Sequence, residues 1–600
     1  MVHLITELSK YTMIILFALY TWQCFFALKK SVDAEEQAWK FKKQVVYMYL
    51  FHLNAYAVLF LSTKNLDLVK FYLWQVAFFL AVQICYGIFY KRVSKLVVNN
   101  MCMLMCIGFV ALTRLSYKHA VKQFVIAAIS VAVTMFIPYF ISRWKFVRGL
   151  TWMYALAGIT MLGVVAVLGA VSHGAKLSFS VAGVTVQPSE FIKIIFVFFV
   201  ASMFYESTEF VQVAKATIVA ALHVVILVLS KDLGTGFIFF VAYMVMLYVA
   251  TRKLYYFAGG MLCGAAASVA AYFLFNHVRV RVVAWQDPLA VFEREGNQVS
   301  NSLFAIGTGG WFGMGLNQGM PYKIPEVKQD FIFSAIAEEL GGIFAICLIL
   351  VCVSCLLMFL NIAMQMQDFF YKLVALGLGV IYGFQIFLSI GGDIKFIPST
   401  GVTLPLVSYG GSSLLSTMII FAVIQGLYLM RERGEAEVPK KPVKKKRRQK
   451  TQDSERGGRG PQALEDGGQE LAAQVRGIVQ ENRMEENGDR ELAAQVRGIV
   501  QENRMEENGD KELAAQVRGI VQENRMEENG DRELAAQVRG IVQESRMEEN
   551  GDRELAAQVR GILKEGQQRQ RKRPGRVGKE GGVLSHEETI HGTKIQDFDR

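Results

Sequence analysis

Among the hydrophobic runs that fill the 600-residue chain up to about residue 430, the longest polar stretch lies at 277–330. Within it, Asp287 precedes Pro288, and a glycine-rich segment follows at 307–315. A carboxylate in a long loop can act as a general base that takes a proton from an attacking hydroxyl. Asp-Pro is also a common turn dipeptide, because the Asp side chain bonds nearby backbone and proline fixes φ. The residues alone leave both interpretations open.

A charged pair inside an apolar run is the second chemical feature. Glu190 and Lys193 are three residues apart, so on a helix they share one face and can form an ion pair. Charged residues in a membrane span are costly and usually face a polar interior. The spacing fits a cavity-lining pair and also a pair that caps the helix at the membrane interface. Asp232, just before another apolar run, has the position of a helix N-cap.

These residues are embedded in a chain that is too apolar for an ordinary water-soluble protein. Its hydrophobic fraction is 53% and its mean hydropathy is +0.30. A membrane-spanning helix needs about 20 apolar residues, and by that measure the sequence offers roughly 13 candidate spans. They lie near 11–29, 44–62, 71–90, 100–114, 121–141, 149–171, 190–205, 213–230, 234–251, 254–276, 331–361, 368–391 and 405–430.

The placement of basic residues predicts the orientation. Lys and Arg collect after the first, third, fifth, ninth and thirteenth candidate spans. Such basic loops remain on the cytoplasmic side of a membrane. The N-terminus and the loop at 277–330 are therefore predicted outside, and the C-terminal tail is predicted in the cytoplasm.

Charge, cysteine and histidine placement exclude other classes. The net charge of +12 does not indicate nucleic-acid binding. Much of the excess lies at 440–450, directly after the last span, where the anionic inner leaflet attracts basic side chains. All eight cysteines lie in or beside hydrophobic runs, which predicts free, packed thiols. The eight histidines are scattered, so no metal ligands are predicted.

Several segments together resemble the SEDS family of FtsW, RodA and SpoVE. The Asp-Pro segment at 287–288 is similar to an acidic segment of that family, and AEELG at 337–341 is similar to the helix that follows it. Three further family signatures are resembled by QPSEFIK at 187–193, DLGT at 232–235 and the stretch from PSTG to LPLVSYGGSS at 398–413. They occur in the family's order and on one predicted face of the membrane.

The resemblance implies an all-α polytopic membrane protein. It implies a ten-helix SEDS-like core, preceded here by about three extra N-terminal transmembrane helices and followed by a mostly disordered repeat tail. The predicted segments are the extra helices at 1–99, the core at 100–434, a basic cytoplasmic linker at 435–469, tandem repeats at 470–574 and a tail at 575–600.

The resemblance also implies a reaction. Members of this family are peptidoglycan glycosyltransferases of the bacterial cytoplasmic membrane, and their substrate is lipid II, a disaccharide-peptide joined by pyrophosphate to a polyprenyl chain. Asp287 takes the position of the family's acidic residue and is the expected general base. The residues at 290–296 form an apparent insertion after it, so Glu293 and Glu295 are alternative bases. The chemistry allows, without requiring, a divalent cation at the leaving pyrophosphate.

The same resemblance implies a set of substrate-binding or cavity-lining residues. Lys176 is equally well interpreted as an exposed loop lysine, and Asp330 as a helix cap. The Gly-Gly-Ser-Ser run at 410–413 favours close helix packing, while Ser408 and Tyr409 just before it can line the cavity. The expected set is Glu190, Lys193, Lys176, Gln298, Ser302, Asp330, Ser408 and Tyr409.

The tail contains an internal repeat. From Glu470 the segment ELAAQVRGIVQENRMEENGDR recurs with a spacing of 21 residues, which equals three heptads. Asn-Gly breaks each unit, which favours short amphipathic helices joined by turns. Folding on a partner and a solvated spacer both fit this pattern.

Two other functions compete with the glycosyltransferase. A lipid II flippase or transporter also needs a polytopic bundle with intramembrane charges, but its decisive charges belong near the bilayer midplane. A non-catalytic scaffold for a transpeptidase is the third candidate. The family resemblance implies a class B penicillin-binding protein as partner. Division, elongation and sporulation are not separated by the sequence.

Overall fold

A computed structural model describes residues 2–27, 34–143, 146–168, 170–172, 175–181 and 184–437. The predicted repeats and tail, and the basic run at 440–450, lie outside the described residues.

Thirteen long helices form the membrane part of the described chain. They coincide with the predicted spans, and the prediction of an all-α membrane fold is confirmed. They are α1 (Val2–Ala27), α2 (Ala34–Thr63), α3 (Leu66–Phe89), α4 (Lys95–Leu115), α5 (Tyr117–Thr134), α7 (Thr151–Leu168), α8 (Ser189–Glu206), α9 (Phe210–Leu229), α10 (Leu233–Thr251), α11 (Leu254–Leu274), α14 (Ile332–Gln365), α15 (Phe369–Asp393) and α16 (Gly411–Glu437). Three short helices are α6 (Ile137–Ile141), α12 (Asn276–Gln286) and α13 (Asn297–Gly309).

Eleven of the described helical segments are long and apolar enough to cross a membrane by length and composition. The chain is therefore a multi-pass membrane protein. Helix α8 falls outside that set because its 18 residues include Glu190, Lys193 and Glu206. Helices α3, α7, α9 and α11 are mostly exposed along their apolar length, as expected for lipid-facing helices.

A small antiparallel sheet between α7 and α8 was not predicted. Its strands are β1 (Ala170–Ser172), β2 (Ala175–Val181) and β3 (Val184–Val186), in the order β1-β2-β3. Val171 pairs with Lys176, and Ser180 pairs with Thr185. Strand β2 reads AKLSFSV, in which apolar and polar residues alternate strictly. This period-two pattern was the signal for a strand that the sequence analysis missed.

The three N-terminal helices pack against the rest of the bundle through α4, α5 and α14. The Tyr20 hydroxyl donates to Asn100 Oδ1 at 2.8 Å, and Asn100 Nδ2 donates to Ser354 Oγ at 2.7 Å. Beside this polar contact, the rings of Phe17 and Phe344 lie 4.3 Å apart. Buried polar groups linked in this way fix the relative register of helices in an apolar environment.

Helix α14 is broken at one residue. Gly341 has φ 89° and ψ 168°, a backbone conformation that is essentially restricted to glycine. A break of this kind leaves amides and carbonyls without partners inside the helix, and such groups are expensive to bury in the membrane.

The glycine-rich stretch Gly310–Gly315, which we call the bridging segment, supplies those partners. Its Met314 and Gly315 amides donate to the carbonyls of Glu338 and Glu339, both at 2.9 Å. In return, the amides beyond the break donate to the bridging segment: Gly342 to the Gly310 carbonyl at 2.8 Å, and Ile343 to that of Trp311 at 3.2 Å. The backbone hydrogen bonds lost at the break are thereby replaced.

Replacing Gly341 by Ala is expected to lower the free energy of unfolding by about 2 kcal/mol or more, because this φ/ψ region strains any other residue. The added Cβ would also lie 2.4 Å from the Gly313 amide nitrogen. Thermal unfolding of the purified protein in detergent measures the effect. Gly307→Ala is the matched control, because a Cβ there meets no atom within 4 Å. Equal stability of both variants would contradict the role assigned to the break.

Candidate functional site

Asp287 lies at the C-terminal end of α12 and is exposed. Its amide donates to the Val283 carbonyl at 3.2 Å, and its Oδ1 accepts from the Ala290 amide at 3.1 Å. Asp287 therefore forms the turn that the Asp-Pro dipeptide suggested. Its second carboxylate oxygen accepts no hydrogen bond within the described part of the chain, so this oxygen is available to another donor.

The predicted insertion at 290–296 folds into tight turns between α12 and α13. The Gly296 amide donates to the Val291 carbonyl at 3.0 Å, and a Cβ on Gly296 would lie 2.1 Å from the Pro288 carbonyl oxygen. Glycine is therefore required where the turn closes on Pro288. Glu293 and Glu295 are exposed on this turn, so they remain alternative bases.

Helix α12 is tied to the segment that joins α15 to α16. Trp285 Nε1 donates to the Lys395 carbonyl at 3.1 Å. We call this end of the bundle, where α11 is joined to α14, the loop side. Four of the resembled signatures, with Ser189, Asp232, Asp287 and Gly401, lie at helix ends or in loops on this side.

Arg281, which the sequence analysis missed, lies among carboxylates on the loop side. A Cβ on Gly401 would be 3.4 Å from Asp330 Oδ2 and 3.7 Å from the nearest Arg281 nitrogen. Gly401, with φ 72°, thus permits the close approach of the PSTG segment to both groups. Burial lowers the pKa of Arg281, and the charges of Asp330 and Asp232 oppose that shift.

The environment of Arg281 extends to a neighbouring histidine. Burial lowers the pKa of His277, and the positive charges of Arg281 and Lys231 lower it further. The predicted outer loop at 277–330 also contains Arg279, Arg294, Lys323 and Lys328, so basic charge alone did not single out Arg281.

Glu190 and Lys193 form the predicted ion pair, at 2.6 Å. Lys193 is 1% exposed, and its ammonium also donates to Gln385 Oε1 at 2.7 Å. Ser416 donates to Glu190 Oε2 at 2.8 Å. The pair joins α8 to α15 and α16 and is closed off by these contacts.

Asp232 caps α10 as predicted, with Oδ1 accepting from the Thr235 amide at 3.2 Å. Its other oxygen accepts from Ser189 Oγ at 3.0 Å and from Gln187 Nε2 at 3.3 Å. Burial raises the pKa of Asp232, and the hydrogen bonds from Thr235 and Ser189 oppose that shift. The QPSE and DLGT segments therefore meet at one carboxylate.

The remaining predicted residues occupy different positions. Ser302 is fully buried, and its hydroxyl donates to the Asp393 carbonyl at 2.7 Å. Ser408 is buried and accepts from the Leu404 amide at 2.9 Å. Gln298 and Tyr409 are half-buried, and the Tyr409 ring packs edge-on against His119 at 4.8 Å.

Lys176 lies on β2, and its side chain is outside the described part of the structure. Ser302 and Ser408 are used in contacts between helices and loops, whereas Asp287 has the exposure that a substrate contact requires.

A second buried ion pair was not predicted. Arg114 at the end of α4 contacts Glu339 at 2.8 Å, and its Nη2 donates to the Gly319 carbonyl at 3.1 Å. Glu339 Oε2 accepts from the Asn317 amide at 3.1 Å. The two adjacent glutamates in an apolar helix were a signal for this contact, but their partner is 225 residues away in the sequence.

Within the described ranges, no three His, Cys, Asp or Glu side chains are arranged to hold a metal ion. The cysteines, all of which are described, are free as predicted.

The fold and the loop side define a polytopic membrane protein that combines an exposed carboxylate with several buried, bonded ones. Comparison with known proteins identifies its family. Residues 89–432 match the cell cycle protein family FtsW/RodA/SpoVE. The chain belongs to this family. The match leaves α1–α3 outside it, and ten of the long described helices begin within it.

Individual proteins similar to the chain include two curated relatives and a solved structure. The chain is 33% identical over 327 residues to peptidoglycan glycosyltransferase RodA of Mycobacterium tuberculosis, covering 51% of this chain and 70% of that protein. It is 32% identical over 323 residues to stage V sporulation protein E of Bacillus subtilis, covering 51% and 86%. A solved chain from a study of polymerization and crosslinking by a peptidoglycan synthase complex is 22% identical, with a TM-score of 0.48 and coverage of 57% and 98%.

Lys193→Met is expected to lower the free energy of unfolding by about 3 kcal/mol, because it leaves a buried carboxylate without its cation. Adding Glu190→Gln to Lys193→Met should restore part of the loss. Lys70→Met is the matched control, because Lys70 forms the same i,i+3 pair with Asp67 at 3.1 Å but is 73% exposed. We expect no measurable loss there. Thermal unfolding of the four proteins tests this, and equal losses in the two lysine variants would refute it.

Proposed function

We propose that this chain is a peptidoglycan glycosyltransferase that polymerises lipid II at the outer face of the bacterial cytoplasmic membrane. Family membership supports the reaction class, since relatives over most of the matched length carry that name. The proposed step joins the acceptor sugar hydroxyl to the anomeric carbon of the donor, with the polyprenyl pyrophosphate as the leaving group.

Exposure separates Asp287 from the buried carboxylates, and its position in the family's Asp-Pro segment supports it over the equally exposed Glu293 and Glu295. Glu190, Asp232, Glu338, Glu339 and Asp393 are each 8% exposed or less. A general base must come within hydrogen-bond reach of the hydroxyl it deprotonates. Asp287 meets that requirement without prior rearrangement, and its turn contact with Ala290 orients the carboxylate.

The buried Glu190 and Lys193 pair has a different proposed role. Lys193 is already bonded to Glu190 and Gln385, so it holds Glu190 in place and does not reach the phosphates. The pair orients α8 and, through it, the contact of Ser189 with Asp232. The pyrophosphate is a good leaving group, so no second carboxylic acid is needed to protonate it.

Orientation and partner belong to the same proposal. The basic residues after the first, third, fifth, ninth and thirteenth spans support a loop side that is outside and a C-terminal tail that is in the cytoplasm. A class B penicillin-binding protein, which crosslinks the glycan, is the proposed partner by family resemblance. The Glu190 and Lys193 pair lies in the first turns of α8. A transporter would place such charges at the midplane.

Asp287→Asn is expected to lower the polymerisation rate about 10²-fold or more, because it removes the proton acceptor. Asn keeps an oxygen for the Ala290 amide, so the turn should persist. The measurement is glycan synthesis from lipid II by the purified protein in liposomes. Glu293→Gln and Glu295→Gln are the matched controls and should retain most of the activity.

Each other outcome has a distinct meaning. Equal glycan synthesis by Asp287→Asn and the wild type refutes Asp287 as the general base. Loss of glycan synthesis in only Glu293→Gln or only Glu295→Gln identifies that glutamate as the base. Lipid transport across the vesicle without glycan from the wild type favours a flippase. Neither activity, with stimulation of an added transpeptidase, favours a scaffold.

A further inference from the structure

The N-terminal helix α1 lies against the bridging segment that fills the break in α14. Lys10 Nζ donates to the Gly313 carbonyl at 3.4 Å, and the Tyr11 and Phe312 rings lie 5.7 Å apart. Thr6 is near enough that a Cβ on Gly315 would be 3.7 Å from its methyl group. One face of α1 therefore follows the bridging segment over several residues.

Contacts further along α1 fix it relative to the core. Tyr20 bonds Asn100 on α4, and Asn100 bonds Ser354 on α14. Phe17 packs on Phe344, three residues beyond the break. The Lys10 contact is thus made by a helix whose position is already set by buried polar and aromatic contacts.

The bridging segment in turn leads to the loop that reaches the candidate site. The Asn317 amide donates to Glu339 at 3.1 Å, and the Met320 amide donates to Glu338 at 2.9 Å. These carboxylates belong to the last helical residues before Gly341. If the bridging segment moved relative to α14, the loop that follows it and ends at Asp330, beside Arg281, would therefore move as well.

We propose that α1 is a built-in positioning element for the loop side, with Lys10 and Tyr11 holding the bridging segment in the α14 break. The functional part of this inference rests on the proposed glycosyltransferase activity. Because α1 lies outside the family match, the arrangement is a property of this chain beyond the matched core. Lys10 is suited to the task because its side chain is only 12% exposed and Glu7 pairs with it at 2.7 Å.

The test uses the full-length protein in lipid nanodiscs. Hydrogen exchange of residues 310–320 is compared among the wild type, Lys10→Met/Tyr11→Ala, Lys10→Arg and Leu8→Ala. Leu8 is the matched control on the same helix, because its side chain is 60% exposed. Exchange is measured without substrate, so this readout does not depend on the protein being a polymerase. Tyr11→Ala alone replaces the double variant should the latter fail to fold.

We expect exchange at 310–320 to rise about tenfold in Lys10→Met/Tyr11→Ala, as for the loss of a charged hydrogen bond. Exchange elsewhere should be unchanged, Lys10→Arg should restore protection, and Leu8→Ala should match the wild type. In the polymerisation assay the double variant should lose kcat several-fold, with KM nearly constant.

Unchanged exchange in the double variant overturns the inference. Equal loosening by Leu8→Ala also overturns it, because α1 would then act only through general packing. Altered local exchange with unchanged kcat overturns the functional part. A wild type without glycan synthesis but with the expected exchange pattern refutes the proposed activity and leaves the structural role of α1 supported.

Discussion

The break in α14 at Gly341 is the constraint on which the loop side depends. A membrane helix cannot leave backbone groups without hydrogen bonds, so the break requires another segment to complete them. The bridging segment does so in both directions, through the Glu338 and Glu339 carbonyls and the Gly342 and Ile343 amides. A glycine at 341 permits the conformation, and Gly313 leaves the space, since a Cβ there would lie 2.4 Å from the Glu339 carbonyl oxygen.

The acidic residues divide into two groups by environment. Those that are buried hold elements together: Glu190 pairs with Lys193, Asp232 joins the starts of α8 and α10, and Glu339 joins α4 to the loop before α14. Charged groups in such surroundings are retained only when paired or hydrogen-bonded. Asp287 differs because its carboxylate is exposed beside a short, anchored helix. The buried groups thus shape the loop side, whereas Asp287, like Glu293 and Glu295 on the turn that follows it, is open to solvent.

Much of this architecture could be predicted from sequence, and what could not has physical causes. Apolar run lengths located the long helices, the spacing of Glu190 and Lys193 predicted their pairing, and Asp232 was predicted as a cap. Hydropathy does not report backbone dihedral angles, so α14 was predicted as one continuous span. The contact of Arg114 with Glu339 joins distant parts of the chain, so the two adjacent glutamates did not reveal their partner. Arg281 lies on α12, a helix of only 11 residues inside the predicted loop, so apolar run length did not single it out. The role of Asp287 remains a prediction.

The account depends most directly on which side of the membrane carries Asp287. Leu289, two residues away, is 59% exposed, so Leu289→Cys in a Cys263→Ser background can be labelled with a membrane-impermeant maleimide on intact cells. Lys253→Cys, in the predicted cytoplasmic loop after α10, is the companion position. The account predicts labelling at 289 on intact cells and labelling at 253 only after permeabilisation. The reverse pattern would place the carboxylate in the cytoplasm and contradict polymerisation at the outer face.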